Sequence, residues 1–243
     1  NRKKRGVGLK TTNKKPRKVT VIEGFPGFGL VGTITTGFLI DHLKCEHIRH
    51  KHFEEVAPTL AIHNGKIIDP IGIFYNAKYN IVVVHSIMNP VNLEWKAAEF
   101  IAELCKEYQA VELITIEGVG APQAEEAGEQ QAFYHVSEPN EKLKKTGIKP
   151  LGEGIIVGVT GAILLKPMPC KVTSLFAETH SAMPDSKAAA AVIEVLDKYL
   201  GLNVDTKPLL KQAEDFEAKL KDLMQRSAGT KDQQERKNLS YIS

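Results

Sequence analysis

The sequence predicts an α/β fold, a three-layer sandwich around a mixed sheet, followed by a C-terminal helical extension. Three observations lead there. Residues 21–32 read Val-Ile-Glu-Gly-Phe-Pro-Gly-Phe-Gly-Leu-Val-Gly, a β-branched run that stops at glycines before helix-type spacing begins. That is the pattern of a strand, a tight turn and a helix N-terminus. Two hairpin signals follow, one at Asn64-Gly65 between Ala-Ile-His and Lys-Ile-Ile, the other around Asn76-Ala77-Lys78. Long helical patterns at 92–108 and 185–200 then alternate with apolar strand runs. Parallel strands need helical crossovers and hairpins add antiparallel strands, so the two together give a mixed sheet between helical layers.

Each element has its own warrant. Residues 18–23 form a strand, and 30–44 a helix with Val31, Ile34 and Phe38 on one face. Residues 59–68 make the first hairpin, and 71–75 with 80–85 the second. The helix at 92–108 repeats Ala97, Ile101, Leu104 and Tyr108 at helical spacing. The apolar run at 111–117 is a buried strand. Residues 118–128, rich in Gly, Pro and Glu, read as an exposed loop, and 131–136 as a strand. The glycine-dotted stretch at 154–165 reads as a helix packed closely on the sheet, and 171–177 as a strand. The helix at 185–200 is capped by Asp185 or Ser186 and ended by Gly201.

Composition sets the class. A chain of 243 residues, 42% hydrophobic and 25% charged, suffices for one α/β domain with an appendage. No apolar run is long enough for a membrane span and no secretory signal is evident, so the cytoplasm is the expected compartment. Cys45, Cys105 and Cys170 are odd in number and far apart, which speaks for reducing surroundings. Residues 1–18 carry nine basic side chains and no acid, while the remainder holds 23 basic and 29 acidic residues. No aromatic residue interleaves the basic ones, so nucleic acid is not the expected partner. Residues 1–17 are thus a basic flexible arm on an acidic α/β domain at 18–204.

The C-terminal forty residues differ. Pro208 opens a helix, within 205–226, whose Leu209, Ala213, Phe216, Leu220 and Leu223 repeat at steps of 4, 3, 4 and 3. That is a coiled-coil seam about two heptads long, suited to self-association. Residues 227–243 read as a flexible tail. Its tip restores Leu239, Tyr241 and Ile242 before the terminal Ser243, apolar side chains that suit a partner's pocket.

Candidate chemistry is limited. Gly27-Phe28-Gly29-Leu30-Val31-Gly32 matches the dinucleotide fingerprint, but Gly24-Phe25-Pro26 separate it from the strand end. About 20 residues on, at Cys45–His50, no Asp or Glu clearly ends an apolar strand, as the fingerprint would need. Gly24, Pro26, Gly27, Gly29 and Gly32 are therefore read as a structural turn. Glu23, His85, Glu117 and Glu178 each stand where an apolar strand run stops. On parallel strands these residues would line one sheet edge and could do acid/base work, the enzymatic alternative. His42, Cys45, His47, His50 and His52 crowd together, but on a strand His50 and His52 share a face and His47 opposes them. No metal site is expected, and no cofactor. The chain has no G-x-S-x-G elbow, P-loop or C-x-x-C, and His180 beside Ser181 is a weak hydrolase signal.

Three segments together resemble the proteasome assembly chaperone family, archaeal branch. They are Glu23-Gly24-Phe25-Pro26-Gly27-Phe28-Gly29-Leu30-Val31-Gly32, then Gly158-Val159-Thr160-Gly161-Ala162-Ile163-Leu164-Leu165, then Glu178-Thr179-His180-Ser181-Ala182-Met183-Pro184-Asp185-Ser186-Lys187-Ala188-Ala189. The resemblance spans about 18–200, with Ser186 standing where the family often has a second proline. It implies a non-catalytic protein, similar in fold to nucleoside phosphorylases, that binds proteasome α subunits as a homo-oligomer. Some members carry a C-terminal hydrophobic-Tyr-X tail that docks between α subunits; here Tyr241 is third from the end after Ser240, one residue out of register. No phosphate-loop or paired Mg-ligand signature supports a ligase.

Overall fold

The computed structural model describes residues 16–56, 60–63, 65–120, 131–179, 183–208 and 210. Eight strands form one sheet in the order β2-β5-β6-β1-β7-β10-β8-β9. They are β1 (Thr20–Gly24), β2 (Glu46–His50), β5 (Ile71–Asn76), β6 (Ile81–Ser86), β7 (Glu112–Gly120), β8 (Ala132–Val136), β9 (Lys149–Pro150) and β10 (Lys171–Thr179). Strands β3 (Ala61–His63) and β4 (Lys66–Ile68) pair apart from it as a hairpin, as the sequence predicts. The central four, β6, β1, β7 and β10, are parallel; β5 and β8 run against them on either side. The predicted mixed α/β sandwich is the observed fold.

Helices cover both faces, as burial on both sides of parallel strands requires. On one face α1 (Val31–Leu43) and α5 (Ser186–Leu200) pack with Ile22, Val83, Ile114 and Leu175. On the other, α2 (Glu94–Glu107) and α4 (Val159–Leu165) pack with Val21, Val82, Val84 and Leu113. Successive strand residues thus feed opposite cores.

Several local readings change. The stretch at 154–165 is helical only from Val159, because Gly158 enters with φ +85°. Strand β7 runs on to Gly120, so the expected loop begins later, and 121–130 lie outside the described residues. The short α3 (Glu141–Lys144), capped by the Asn140 side chain on the Leu143 N–H, was not expected. The C-terminal chain enters a helical turn where the Leu210 N–H donates to Thr206 O. The seam residues Leu209, Ala213, Phe216, Leu220 and Leu223, the tail residues Leu239, Tyr241, Ile242 and Ser243, and the basic arm up to residue 15 lie outside the described residues.

At the amino edge of the sheet, buried Glu112 accepts hydrogen bonds from Tyr199 Oη at 2.8 Å and Thr173 Oγ1 at 2.7 Å, with Lys171 Nζ at 3.6 Å. Tyr199 Oη also accepts from Asn140 Nδ2 at 2.7 Å, which ties α5 to both β7 and α3. Burial pushes the Tyr199 hydroxyl up to about 12, so it donates throughout the ordinary pH range. Tyr199→Phe removes a donor to a buried carboxylate. A loss of about 1–3 kcal/mol is expected in a urea titration.

Candidate functional site

The carboxyl ends of β1 and β7 meet the turn between β1 and α1. Thr20, Val21 and Ile22 are β-branched up to Glu23, after which Gly24 lets the chain leave the sheet. A single 3-10 turn at Phe28–Leu30 follows, with Gly29 at φ +63° and Leu30 at φ +51°. The turn is fastened from three sides. Leu30 N–H donates to Gly27 O at 3.1 Å, Phe28 N–H to Glu117 Oε1 at 3.2 Å, and Asp185 N–H to Gly29 O at 2.9 Å. Asp185 also caps α5 by accepting from the Ala188 N–H at 2.9 Å. The three sequence segments quoted above therefore converge. The opening turn is held by Asp185 of the third segment, and Thr160 of the second reaches the acids beneath it.

Glu23 is fully buried and Glu117 only 7% exposed. The Thr160 hydroxyl stands between them, 3.5 Å from Glu23 Oε1 and 3.3 Å from Glu117 Oε2, and Phe25 N–H donates to Glu23 Oε2 at 3.3 Å. Burial, with the neighbouring Glu117 charge adding to it, pushes the Glu23 carboxyl up to about 8. Burial likewise pushes Glu117 up to about 7 against the lowering effect of its hydrogen bonds. At neutral pH the pair therefore keeps about one proton. A single Thr160 hydroxyl fits that state: it donates to the charged partner and accepts from the protonated one.

The other two predicted acid/base residues are not part of this pair. Glu23 and Glu117 project toward α4, whereas His85 projects toward α1, where its Nδ1 lies 2.9 Å from Thr36 Oγ1. Strand alternation separates them: His85 shares the parity of Val83, on the α1 face. Burial pulls His85 down to about 4, so it is neutral at pH 7. Glu178, half-buried on β10, pairs in register with Val119. Thr160 was missed because a threonine inside an apolar glycine-dotted run carries no chemical signal of its own.

The glycines sit where the chain is crowded. A Cβ on Gly27 would lie 1.7 Å from Glu117 Oε1, so only hydrogen at this position lets the turn close over the acid. Gly24 and Gly32 face each other across the β1–α1 junction. Pro26 and Gly27 then line a cleft of ≈ 350 Å³, with Glu117 in its wall and Val91 and residues 155–158 along its far side. The rim is apolar and open: Phe28 is 40% exposed, Val91 49%, Ile155 90% and Val157 75%. Exposed apolar side chains grouped in this way mark interaction surfaces, whether for a protein, a membrane or a ligand.

Residues 21–224 match the PAC2 family. The chain belongs to that family. Among solved structures, this PAC2 chain is similar to Pyrococcus furiosus PbaA, described as an archaeal homologue of proteasome-assembly chaperone. The two share 31% identity at a TM-score of 0.77, over 90% of this chain and 97% of that one. P. furiosus PbaB, described as an archaeal proteasome activator, shares the fold at a TM-score of 0.70 and 23% identity, over 87% of this chain and 95% of its own. An uncharacterised protein of Methanocaldococcus jannaschii is 28% identical over 207 residues, 84% of each chain. The resemblance to archaeal proteasome-assembly chaperones read from the three segments stands, and those segments are the ones that build the PAC2 turn. Among the described residues no helix is long and apolar enough to cross a membrane.

Proposed function

We propose that the chain is a non-catalytic, cytoplasmic proteasome-assembly chaperone or adaptor that binds 20S proteasome α subunits as a homo-oligomer. The observation that carries this reading is how the carboxyl end of the sheet is used. Glu23 is fully buried and Glu117 nearly so, tied to the turn and to Thr160, while Phe28, Val91, Ile155 and Val157 are exposed around the cleft. Such a surface suits a polypeptide better than a charged metabolite. Likeness to PbaA supports the partner class. The seam at 209–223 supplies copies, and the tail tip at 239–243 supplies a repeated weak contact, which an oligomer strengthens through effective concentration.

Pull-down of recombinant α subunits by the full chain and by residues 1–226 tests it. The full chain is expected to retain α subunits, and the truncation to retain at least tenfold less if the tail docks. Retention by neither overturns the adaptor reading, and equal retention removes the tail from it.

A second reading has one observation behind it: Glu117, with its raised carboxyl, borders a cleft at the edge where α/β enzymes hold substrates. Phosphorolysis or hydrolysis of a nucleoside by the wild type, lost in Glu117→Gln, would establish it over the first.

A further inference from the structure

We propose that His47, His50 and Asp69 form a site for a divalent transition-metal ion of the zinc type, which clips the outermost strand to the rest of the domain. The sequence pattern places His47 on the face opposite His50, but the structure does not. A bulge at Ile48 shifts the β2–β5 register between His47 and Arg49, so one residue is left unpaired and the alternation flips. His47 and His50 therefore emerge on one side.

They meet at a single carboxylate. His47 Nε2 lies 3.6 Å and His50 Nδ1 3.8 Å from Asp69 Oδ2, and His52 Nε2 lies 3.6 Å from Asp69 Oδ1. The three donor atoms of His47, His50 and Asp69 all fall within 4.8 Å of one another. In a tetrahedral zinc site with bonds of about 2.0–2.2 Å, neighbouring donors stand roughly 3.3 Å apart, so small rotamer shifts bring these into place. The rings are already oriented: His47 packs on Phe74 at 5.0 Å between centroids, and His50 stacks on His52 at 4.8 Å. Two or three imidazoles with one carboxylate select zinc, copper or nickel over calcium or magnesium, which take oxygen.

Position gives the site its consequence. Asp69 lies between β4 and β5, whereas the histidines lie on and after β2, the first strand in the sheet order. Every residue of β2 is exposed. An edge strand of that kind has few packing contacts to hold it and is open to pairing with another chain. An ion bridging β2 to Asp69 would fasten it from the side.

The test is titration of the full, tag-free chain with zinc chloride by calorimetry, beside a His47→Ala/His50→Ala double variant, Asp69→Asn and the exposed control His135→Ala. The wild type and control are expected to bind one ion with a Kd of about 1 μM or tighter, and both site variants to bind at least tenfold more weakly. Zinc should raise the wild-type Tm and leave that of the double variant unchanged. Cobalt loaded in place of zinc should give a visible spectrum free of a thiolate charge-transfer band, which separates this site from Cys45, Cys105 and Cys170. No heat of binding up to about 100 μM zinc, less than tenfold weakening in both site variants, or a thiolate band overturns the proposal. The substituted histidines are exposed, and far-UV circular dichroism verifies that each variant is folded.

Discussion

Gly24→Ala is expected to cost about 3 kcal/mol or more. Its Cβ would stand 2.2 Å from Gly32 O, 2.6 Å from Gly32 C and 2.6 Å from Thr36 Cγ2. Two of those atoms are backbone, and the third belongs to a buried threonine whose hydroxyl donates to Gly32 O at 2.9 Å. None can rotate aside. The helix itself cannot back away, because Val31 and Ile34 are fully buried in the core beneath it. Nor can Gly32 shift toward β7, since a Cβ there would meet Ile116 O at 2.6 Å. The helix start is thus wedged between two strand backbones, and close packing leaves no slack for a methyl group. Urea titration checks this against Gly152→Ala, where a Cβ meets open space and a change within about 0.5 kcal/mol is expected. Equal midpoints for the two variants would contradict the wedge.

Glu23→Gln is expected to stabilise the protein strongly at alkaline pH and little at acid pH. Both carboxyls have folded values above their ordinary 4.5, Glu23 at about 8 and Glu117 at about 7. The folded state therefore binds protons more tightly than the unfolded chain. Any stability linked to these acids is fully present below about pH 4.5 and is lost as pH rises, through about 7 for Glu117 and about 8 for Glu23. Above that window two buried negative charges share one hydroxyl. A glutamine at position 23 keeps an acceptor for Phe25 N–H and offers a neutral donor toward Thr160. At pH 9 the gain should be on the order of 4 kcal/mol, or roughly 10 °C in Tm, shrinking toward zero at pH 5. Melting curves at four or five pH values read this directly. A wild-type Tm that climbs from pH 5 to pH 9, or a variant that runs parallel to the wild type, would contradict the buried pair.

Much of the fold was legible because its strongest elements obey local rules. The β1–turn–α1 unit is announced by a β-branched run meeting glycines, the hairpins by their Asn-containing turns, and α5 by Asp185 and Gly201 at its ends. What was not legible depends on partners distant in sequence. Strand β2 reads Glu-His-Ile-Arg-His, exposed throughout, with no apolar alternation to mark it, and its bulge follows from pairing with β5. Strand β9 has two residues and borrows its register from β8. At the site, Glu23 and Glu117 were visible as acids ending apolar runs, but their pairing needs β1 beside β7 in register. His85 was grouped with them because a sequence shows that an apolar run ends, not which face the next residue takes. The turn glycines were legible as a group. Gly24 is small because of Gly32 and Thr36 nearby, but for Gly27, Gly29 and Gly32 the reason lies in Glu117, Thr179 and the backbone of Ile116, 84 or more residues away.

The proposed function requires this chain to hold another polypeptide. Light scattering on a sizing column measures it most directly, with the full chain run alone, recombinant 20S α subunits run alone, and the two mixed at about 10 μM. A new species is expected in the mixture, its mass the sum of whole numbers of both chains. Two peaks that each keep the mass seen alone would contradict it.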